Sequence, residues 1–269
     1  MPNSKGFHNE AEIAWLTDSV IDNKKRRKEF LSIDYSQKVI IIDTIAENKS
    51  KKISASALLH QIKKPPGAFI YTTEKKFTWS VSQNENSITE ILVSKNVINR
   101  ANKKIAISID NLLLNDFTSK NIIGYIEGKE KPDSFIVFSA HYDHLGAMGD
   151  AIFPGANDNA SGCAMLLNLA KYYSENQPKY SIAFIAFAGE ELGLLGSRYY
   201  TEHPLFPLSK IKFLVNMDIV GTGDEGMTVV NGSVYKEAFN SLTNINNEKG
   251  YLKQIKSRGK AANSDHYFF

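Results

Sequence analysis

A single cysteine, Cys163, stands in 269 residues, so no disulfide can form within the chain. It falls in an apolar helical pattern, where a thiol serves as a small core group rather than a nucleophile. Long apolar runs are missing as well. None reaches the ~18 residues that a membrane-spanning helix needs, and the opening Met1-Pro2-Asn3-Ser4-Lys5-Gly6 lacks the apolar centre of a secretory signal. An excess of one charge is also absent. Lys and Arg total 32 against 29 Asp and Glu, a formal net charge of +3, which gives no reason to expect nucleic acid or an anionic membrane as partner. The one basic run, Lys24-Lys25-Arg26-Arg27-Lys28, reads as a solvated helix face.

What is present is enough apolar material, 42% of residues, for a sizeable core in one large domain or two modest ones. Residues 10 to 30 carry Ile13, Leu16, Val20 and Ile21 at helical spacing, and residues 1–35 are expected to be an N-terminal helical segment. From 36 to 115 the texture is that of a small α/β accessory domain. Short strands are expected at Val39–Ile42, Ala68–Tyr71, Ile88–Val93 and Ile105–Ile109, with a helix from Ser54 to Ile62 and a turn at Pro65-Pro66-Gly67.

Residues 116–269 are more regular. Ile122–Ile126 and Phe135–Phe138 flank a polar turn and suggest a hairpin. Then follow a helix from about 160 to 173, a strand at 181–188, a helix at 192–202 and a strand at 211–217. A short strand at 227–230 and a helix at 235–246 complete the pattern. Alternation of this kind predicts an α/β fold, a mostly parallel mixed sheet sandwiched by helices. In such sheets ligands bind beyond the carboxyl ends of the strands. Three expected strands end directly before polar groups: His141 after Ala140, Glu190 and Glu191 after Ala188, and Asp218 after Met217. Parallel strands deliver these groups to one edge.

Asp158, in Gly155-Ala156-Asn157-Asp158-Asn159-Ala160-Ser161-Gly162, and His266, in Ser264-Asp265-His266, complete the set. Each has an ordinary explanation when taken alone. Asp158 can cap the next helix, Glu190-Glu191 can favour a helix start, Asp218 can sit in a turn, and His141-x-Asp143 can be a surface pair. Together, two histidines and three carboxylates suit two divalent metals, and the remaining glutamate suits a general base. The pattern points to hydrolysis at a two-metal site. His144 reads as a loop or pocket residue, His8, His60 and His203 have no ligand-like context, and Tyr142 and Tyr267 read as pocket lining.

The segments Ser139-Ala140-His141-Tyr142-Asp143-His144-Leu145-Gly146, Gly155 to Gly162, Ala188 to Ser197, Asn216-Met217-Asp218 and Ser264-Asp265-His266 occur in this order. They resemble the motifs of the zinc aminopeptidases of the aminopeptidase Y and bacterial leucyl aminopeptidase type, over residues 119 to 269. The resemblance implies a di-zinc exopeptidase fold with two Zn2+, replaceable by Co2+ or Mn2+. In it Asp158 bridges both ions, His141 and Asp218 complete one, and Glu191 and His266 the other. Glu190 is the general base, Asp143 orients His141, and a cis peptide joins Asp158 to Asn159.

The implied substrates are peptides with a free amino terminus. Alternatives are a carboxypeptidase or dipeptidase of the same superfamily, or a non-catalytic receptor-like module. Region 36–115 is similar in texture to a protease-associated domain. Relatives are commonly exported, although no signal is visible. Because the chain stops at Phe269, shortly after the last expected ligand, it is expected to be incomplete at its C-terminus.

Overall fold

The computed structural model describes residues 1, 3–43 and 54–269. They form two compact units, Met1–Asp116 and Phe117–Phe269.

The first unit contains strands β1 (Phe7–Thr17), β2 (Lys38–Asp43), β3 (Ala68–Thr73), β4 (Thr89–Ser94) and β5 (Lys104–Ile109). Its helices are α1 (Asp18–Asp22), α2 (Lys24–Ser32) and α3 (Ala55–Leu59). The strands make one sheet in the order β4-β3-β2-β1-β5. Its centre is β2, whose alternate residues serve both faces. Val39 and Ile41 enter one apolar cluster, and Ile40 and Ile42 the other. Side chains of this size contribute roughly 1.5–3 kcal/mol each when fully buried, so a strand buried on both faces carries an unbroken apolar run, Val39 to Ile42, between Lys38 and Asp43.

The N-terminal helix expected over residues 10 to 30 is a strand in its first half. β1 pairs in parallel with β2 and antiparallel with β5. Phe7, Ala11, Ile13 and Trp15 pack on one face of the sheet, while Ala14 and Leu16 pack on the other. Ile13 and Leu16 share a face at helical spacing but lie on opposite faces of a strand, and the apolar clusters on the two sides of the sheet take one each. Residues 1–35 are therefore not a separate helical segment. Helix begins only at Asp18. Asn23 then starts α2, its side chain accepting from the amides of Lys25 and Arg26, and the basic run lies along this helix with only Phe30 buried beneath it.

The second unit holds β6 (Ile122–Ile126), β7 (Lys131–His141), β10 (Tyr180–Phe187) and β11 (Ile211–Asn216), with a small hairpin of β8 (Gly146–Met148) and β9 (Ala151–Phe153). Helices α4 (Ser161–Glu175), α5 (Leu195–Glu202) and α6 (Lys236–Lys249) accompany them. The main sheet runs β11-β7-β10-β6, parallel except at β6. Leu166 of α4 packs with Ile182 and Phe184 on one face, and Tyr200 of α5 with Ala183, Ile185 and Phe187 on the other. The mostly parallel mixed sheet between helices is the architecture expected.

The expected hairpin of β6 and β7 does not form. β6 pairs with β10, which enters the sheet between the two. At the crossing point, Gly128 lies so close to the backbone of Tyr180 and Ser181 that a Cβ there would be 2.3 Å from the Tyr180 carbonyl carbon. A local turn signal carries no information about a strand that arrives some fifty residues later. The short strand expected near 227–230 is β12 (Met227–Val229). It pairs only with β13 (Ile255–Ser257), outside the main sheet. No described helix is long and apolar enough to cross a membrane.

Candidate metal centre

Register aligns the strand ends. His141, the last residue of β7, lies beside Phe187, the last of β10, and Ser139 lies beside Asn216, the last of β11. The hydrogen bonds continue one step beyond the strands, from Tyr142 N to Phe187 O at 2.9 Å and from Met217 N to Ser139 O at 2.8 Å. The side chains that follow these three strands are therefore delivered to one edge.

At that edge two groups of metal-compatible donors converge. His141, Glu190 and Asp218 form one, and His144, Asp158 and Glu191 the other, with the ligand atoms of each group within 4.8 Å of one another. The Nε2 atom of His141 lies 3.1 Å from Asp158 Oδ1, 3.3 Å from Asp218 Oδ1 and 3.9 Å from Glu190 Oε2. Asp158 belongs to the second group yet lies within reach of the first, so it joins them. His141 is 1% exposed and the Glu190 and Asp218 side chains are mostly buried, so these interactions are little screened by water.

Backbone and amide contacts hold these side chains in place. Nδ1 of His141 is 3.1 Å from the carbonyl oxygen of Asp143. The Asp143 carboxylate is 3.7 Å from the same nitrogen, beyond hydrogen-bond reach. That carboxylate instead accepts from the amides of Glu190 and Glu191, each at 3.1 Å, and so fixes the turn that presents both glutamates. Asn159, buried next to Asp158, donates to the carbonyl of Met217 at 2.9 Å and accepts from the amides of Gly162 and Ile219. It ties the Asp158 turn to the residues on either side of Asp218. The Asp158–Asn159 peptide is cis. A chain of side chains, Ser139 to Asn216 to Ser264, links β7 and β11 to the turn that carries His266.

His266 is not brought into either donor group. Its Nε2 lies 3.1 Å from the carbonyl of Ala261, and burial holds its imidazole below the ordinary 6.5. The neighbouring Asp265 is completely buried, with neither carboxyl oxygen hydrogen-bonded. Tyr142, expected to line a pocket, is 43% exposed and donates its hydroxyl to Lys120 O at 2.8 Å. His144, expected to be a loop or pocket residue, contacts Glu191 directly, with Nδ1 2.7 Å from Oε1. The only sequence signal for it was its place three residues after His141. Asn159 and Asn216 gave no signal, because asparagines in loops are ordinary turn formers.

Carboxylates outnumber cations at the centre. Among the described residues, every ion pair made by Asp143, Asp158, Glu190, Glu191 and Asp218 is with a histidine, and none is with Lys or Arg. The consequences appear in the titration of the groups. Burial raises Glu190 to about 7, helped by the charges of Asp265, Asp218 and Glu191 and opposed by His141. Burial also raises Asp265 to about 6. For His141 burial works against the charged form, but Asp143, Asp218 and Glu190 overcome it and raise the imidazole to about 11.

These shifts set a pH dependence. A group whose value is raised in the folded state favours folding while protonated and loses that contribution as pH climbs through the folded value. Glu190 and Asp265 thus withdraw stability up to about pH 7, and His141 withdraws it between 6.5 and about 11. Asp143 is held low against the effect of burial by the charge of His141 and the amides of Glu190 and Glu191, and Asp218 by His141 and Ser264, so both act only below their ordinary value of 3.8. His266, lowered by burial, works in the opposite direction to Glu190 and Asp265 below 6.5. The chelated protein is expected to melt roughly 3–6 °C lower at pH 9 than at pH 5. Added divalent cation should restore most of this at pH 9, where Glu190 and Asp265 are ionised and the proton left to displace is the one on His141. Thermal melts with and without chelator test this. A chelated midpoint that rises between those pH values contradicts the assignment.

Comparison with known proteins places this site in context. The model of peptidase family M28 matches residues 121–269. A probable zinc metalloprotease of Pyrenophora teres f. teres is 40% identical over 116 residues, covering 40% of this chain and 24% of that protein. Aminopeptidase YwaD of Bacillus subtilis is 40% identical over 112 residues, covering 40% of this chain and 23% of that protein. The solved structure of BSAP, a zinc aminopeptidase from Bacillus subtilis, has a TM-score of 0.68 at 24% identity. The match covers 99% of this chain and 63% of that one, and shows a shared fold. The chain thus spans about a quarter of the length of these curated relatives. The family match extends over more than half of the chain and contains both donor groups; the chain belongs to peptidase family M28.

Proposed function

We propose that the second unit is a two-zinc exopeptidase that releases the amino-terminal residue of peptides. The observation that carries this reading is the position of Asp158, whose Oδ1 lies 3.1 Å from His141 Nε2 while its carboxylate groups with Glu191 and His144. Membership of the M28 family and the names of its relatives, a probable zinc metalloprotease and an aminopeptidase, support zinc and peptide hydrolysis.

The donor set fits zinc. Zinc–nitrogen and zinc–oxygen bonds of about 2.0–2.2 Å at tetrahedral angles put neighbouring donors about 3.3–3.6 Å apart. The separations from His141 Nε2 to Asp158 Oδ1 and Asp218 Oδ1 are 3.1 and 3.3 Å. The surplus of carboxylate over cationic side chains supplies the charge two dications need. His141 and Asp218 would hold one ion and Glu191 the other, with Asp158 shared between them; His266 would complete the second only by leaving its contact with the Ala261 carbonyl. When bound, the ions would polarise the scissile carbonyl and bring the acidity of water toward neutrality.

The residues of the chain do the rest. Glu190, raised to about 7, is matched to proton transfer near neutral pH. It takes a proton from the attacking water as the new carbon–oxygen bond forms at the carbonyl carbon. As the carbon–nitrogen bond breaks, it returns that proton to the leaving amine. Asp143 keeps Glu190 on station through the backbone amide. The first unit has no group of metal-compatible donors among its described residues, and we read it as an accessory unit of the protease-associated kind.

The test is hydrolysis of amino-acid arylamides and short peptides by the chelated protein before and after Zn2+ is restored. Activity is expected only with zinc and only when the amino terminus is free. Equal cleavage of amino-blocked peptides from their carboxyl end would identify a carboxypeptidase instead.

A further inference from the structure

One histidine of the centre has no part in the roles assigned so far. His144 lies in the loop after β7, mostly buried, and its ring touches both segments that carry the second donor group. On one side Nδ1 is 2.7 Å from Glu191 Oε1. On the other side the ring lies against Gly155, three residues before Asp158. A Cβ at Gly155 would be 2.8–2.9 Å from the Cβ, Cγ and Cδ2 atoms of His144. Gly155 also has a φ of +65°, which disfavours any side chain there. The absence of a Cβ is what lets the ring seat on the Asp158 turn.

His144 groups with Asp158 and Glu191 closely enough to be considered a ligand. The 2.7 Å separation argues otherwise. Two donors on one tetrahedral zinc stand about 3.3–3.6 Å apart, whereas 2.7 Å is a charge-assisted hydrogen bond from N–H to carboxylate. Nδ1 therefore donates to Oε1, which leaves Oε2 as the oxygen Glu191 can offer to a cation.

We propose that His144 is a positioning residue for the second metal position: it selects the ligating oxygen of Glu191 and registers that glutamate against the Asp158 turn. The inference rests on the two-zinc reading above. Groups that orient ligating carboxylates typically account for ten- to hundredfold in metal affinity.

The test is calorimetric titration of the chelated protein with Zn2+, for the parent and for His144→Ala, His144→Phe and His144→Gln. The phenylalanine variant keeps a ring on Gly155 without the donor, and the glutamine variant keeps a donor. Ala and Phe are expected to lower the affinity for one of two ions by ten- to hundredfold and to leave the other unchanged. Gln should recover most of the loss. The melting temperature of the chelated Gln variant, which keeps the donor, should stay that of the parent.

Unchanged titrations in both Ala and Phe would overturn the proposal. So would a glutamine variant as weak as alanine, which would make His144 a direct ligand. A uniform loss at both positions with a lowered chelated melting temperature would reduce its role to packing. If the parent itself takes up only one ion, it is the two-zinc reading that fails.

Discussion

Glu190→Gln is expected to lower kcat by about two to four orders of magnitude, the usual contribution of a well-placed acid–base group, with zinc content and fold unchanged. The amide has the size of the carboxyl, and the backbone amide of residue 190 still reaches Asp143 Oδ1, 3.1 Å away in the parent. What disappears is a proton acceptor of suitable strength. Burial places the Glu190 carboxyl at about 7, where it can take a proton from water and yield it again to an amine within one turnover. Glutamine does neither. Steady-state rates on an arylamide, with metal content and melting temperature measured on the same samples, check this. Activity within tenfold of the parent at equal zinc loading would remove Glu190 from the mechanism.

The second large effect is expected at Gly162→Ala. Helix propensity alone predicts a gain of about 1 kcal/mol for this change inside α4. The contacts predict the opposite. A Cβ at residue 162 would lie 2.3 Å from the carbonyl oxygen of Met217 and 2.4 Å from Asn159 Oδ1. The first is backbone next to Asp218, and the second is a buried amide that already holds three backbone groups. Neither can yield without breaking the bonds that place Asp158 and Asp218. Overpacking costs about 1–3 kcal/mol, and each buried polar group left without its partner costs about 1–3 kcal/mol more. A net destabilisation of roughly 3–5 kcal/mol is expected, together with weakened metal binding. Urea denaturation of the chelated forms and zinc titration measure the two effects. A variant as stable as the parent would show that helix α4 can shift away from the β11 end.

The parts of this site that were legible in the sequence are those attached to regular structure. His141, Glu190 and Asp218 could be expected at one edge because each follows an apolar strand, and parallel strands end together. The aligned pairs His141–Phe187 and Ser139–Asn216 are the physical form of that expectation. The element that pairs with β6 was not legible, because the local turn before β7 looks the same whether or not another strand enters between them. β1 was misread because Ile13 and Leu16, three residues apart, fit one face of a helix, and only β2 and β5 on either side give a strand with apolar clusters on both faces. The roles of His144 and Asn159 were hidden for another reason. Their roles come from contacts to segments 47 and 58 residues away, and neither residue type carries a periodic signature that would advertise such contacts.

The seating of His144 on Gly155 also divides the chain between them into a base and a tip. The base is closed by the ring contact, and both neighbouring ligand segments are referenced to it. The tip, the β8–β9 hairpin, turns at Asp150 and Gly149, which are exposed and have nothing packed against them where a Cβ would go at Gly149. Length is therefore free in one place and fixed in another. Residues added at the hairpin tip lengthen an excursion whose two ends stay together. A single residue added within β7 would move His141 by about 3.3 Å and turn it to the opposite face of the sheet. Variation in this part of the molecule is channelled outward, into a loop that can change without disturbing the chemistry at its root.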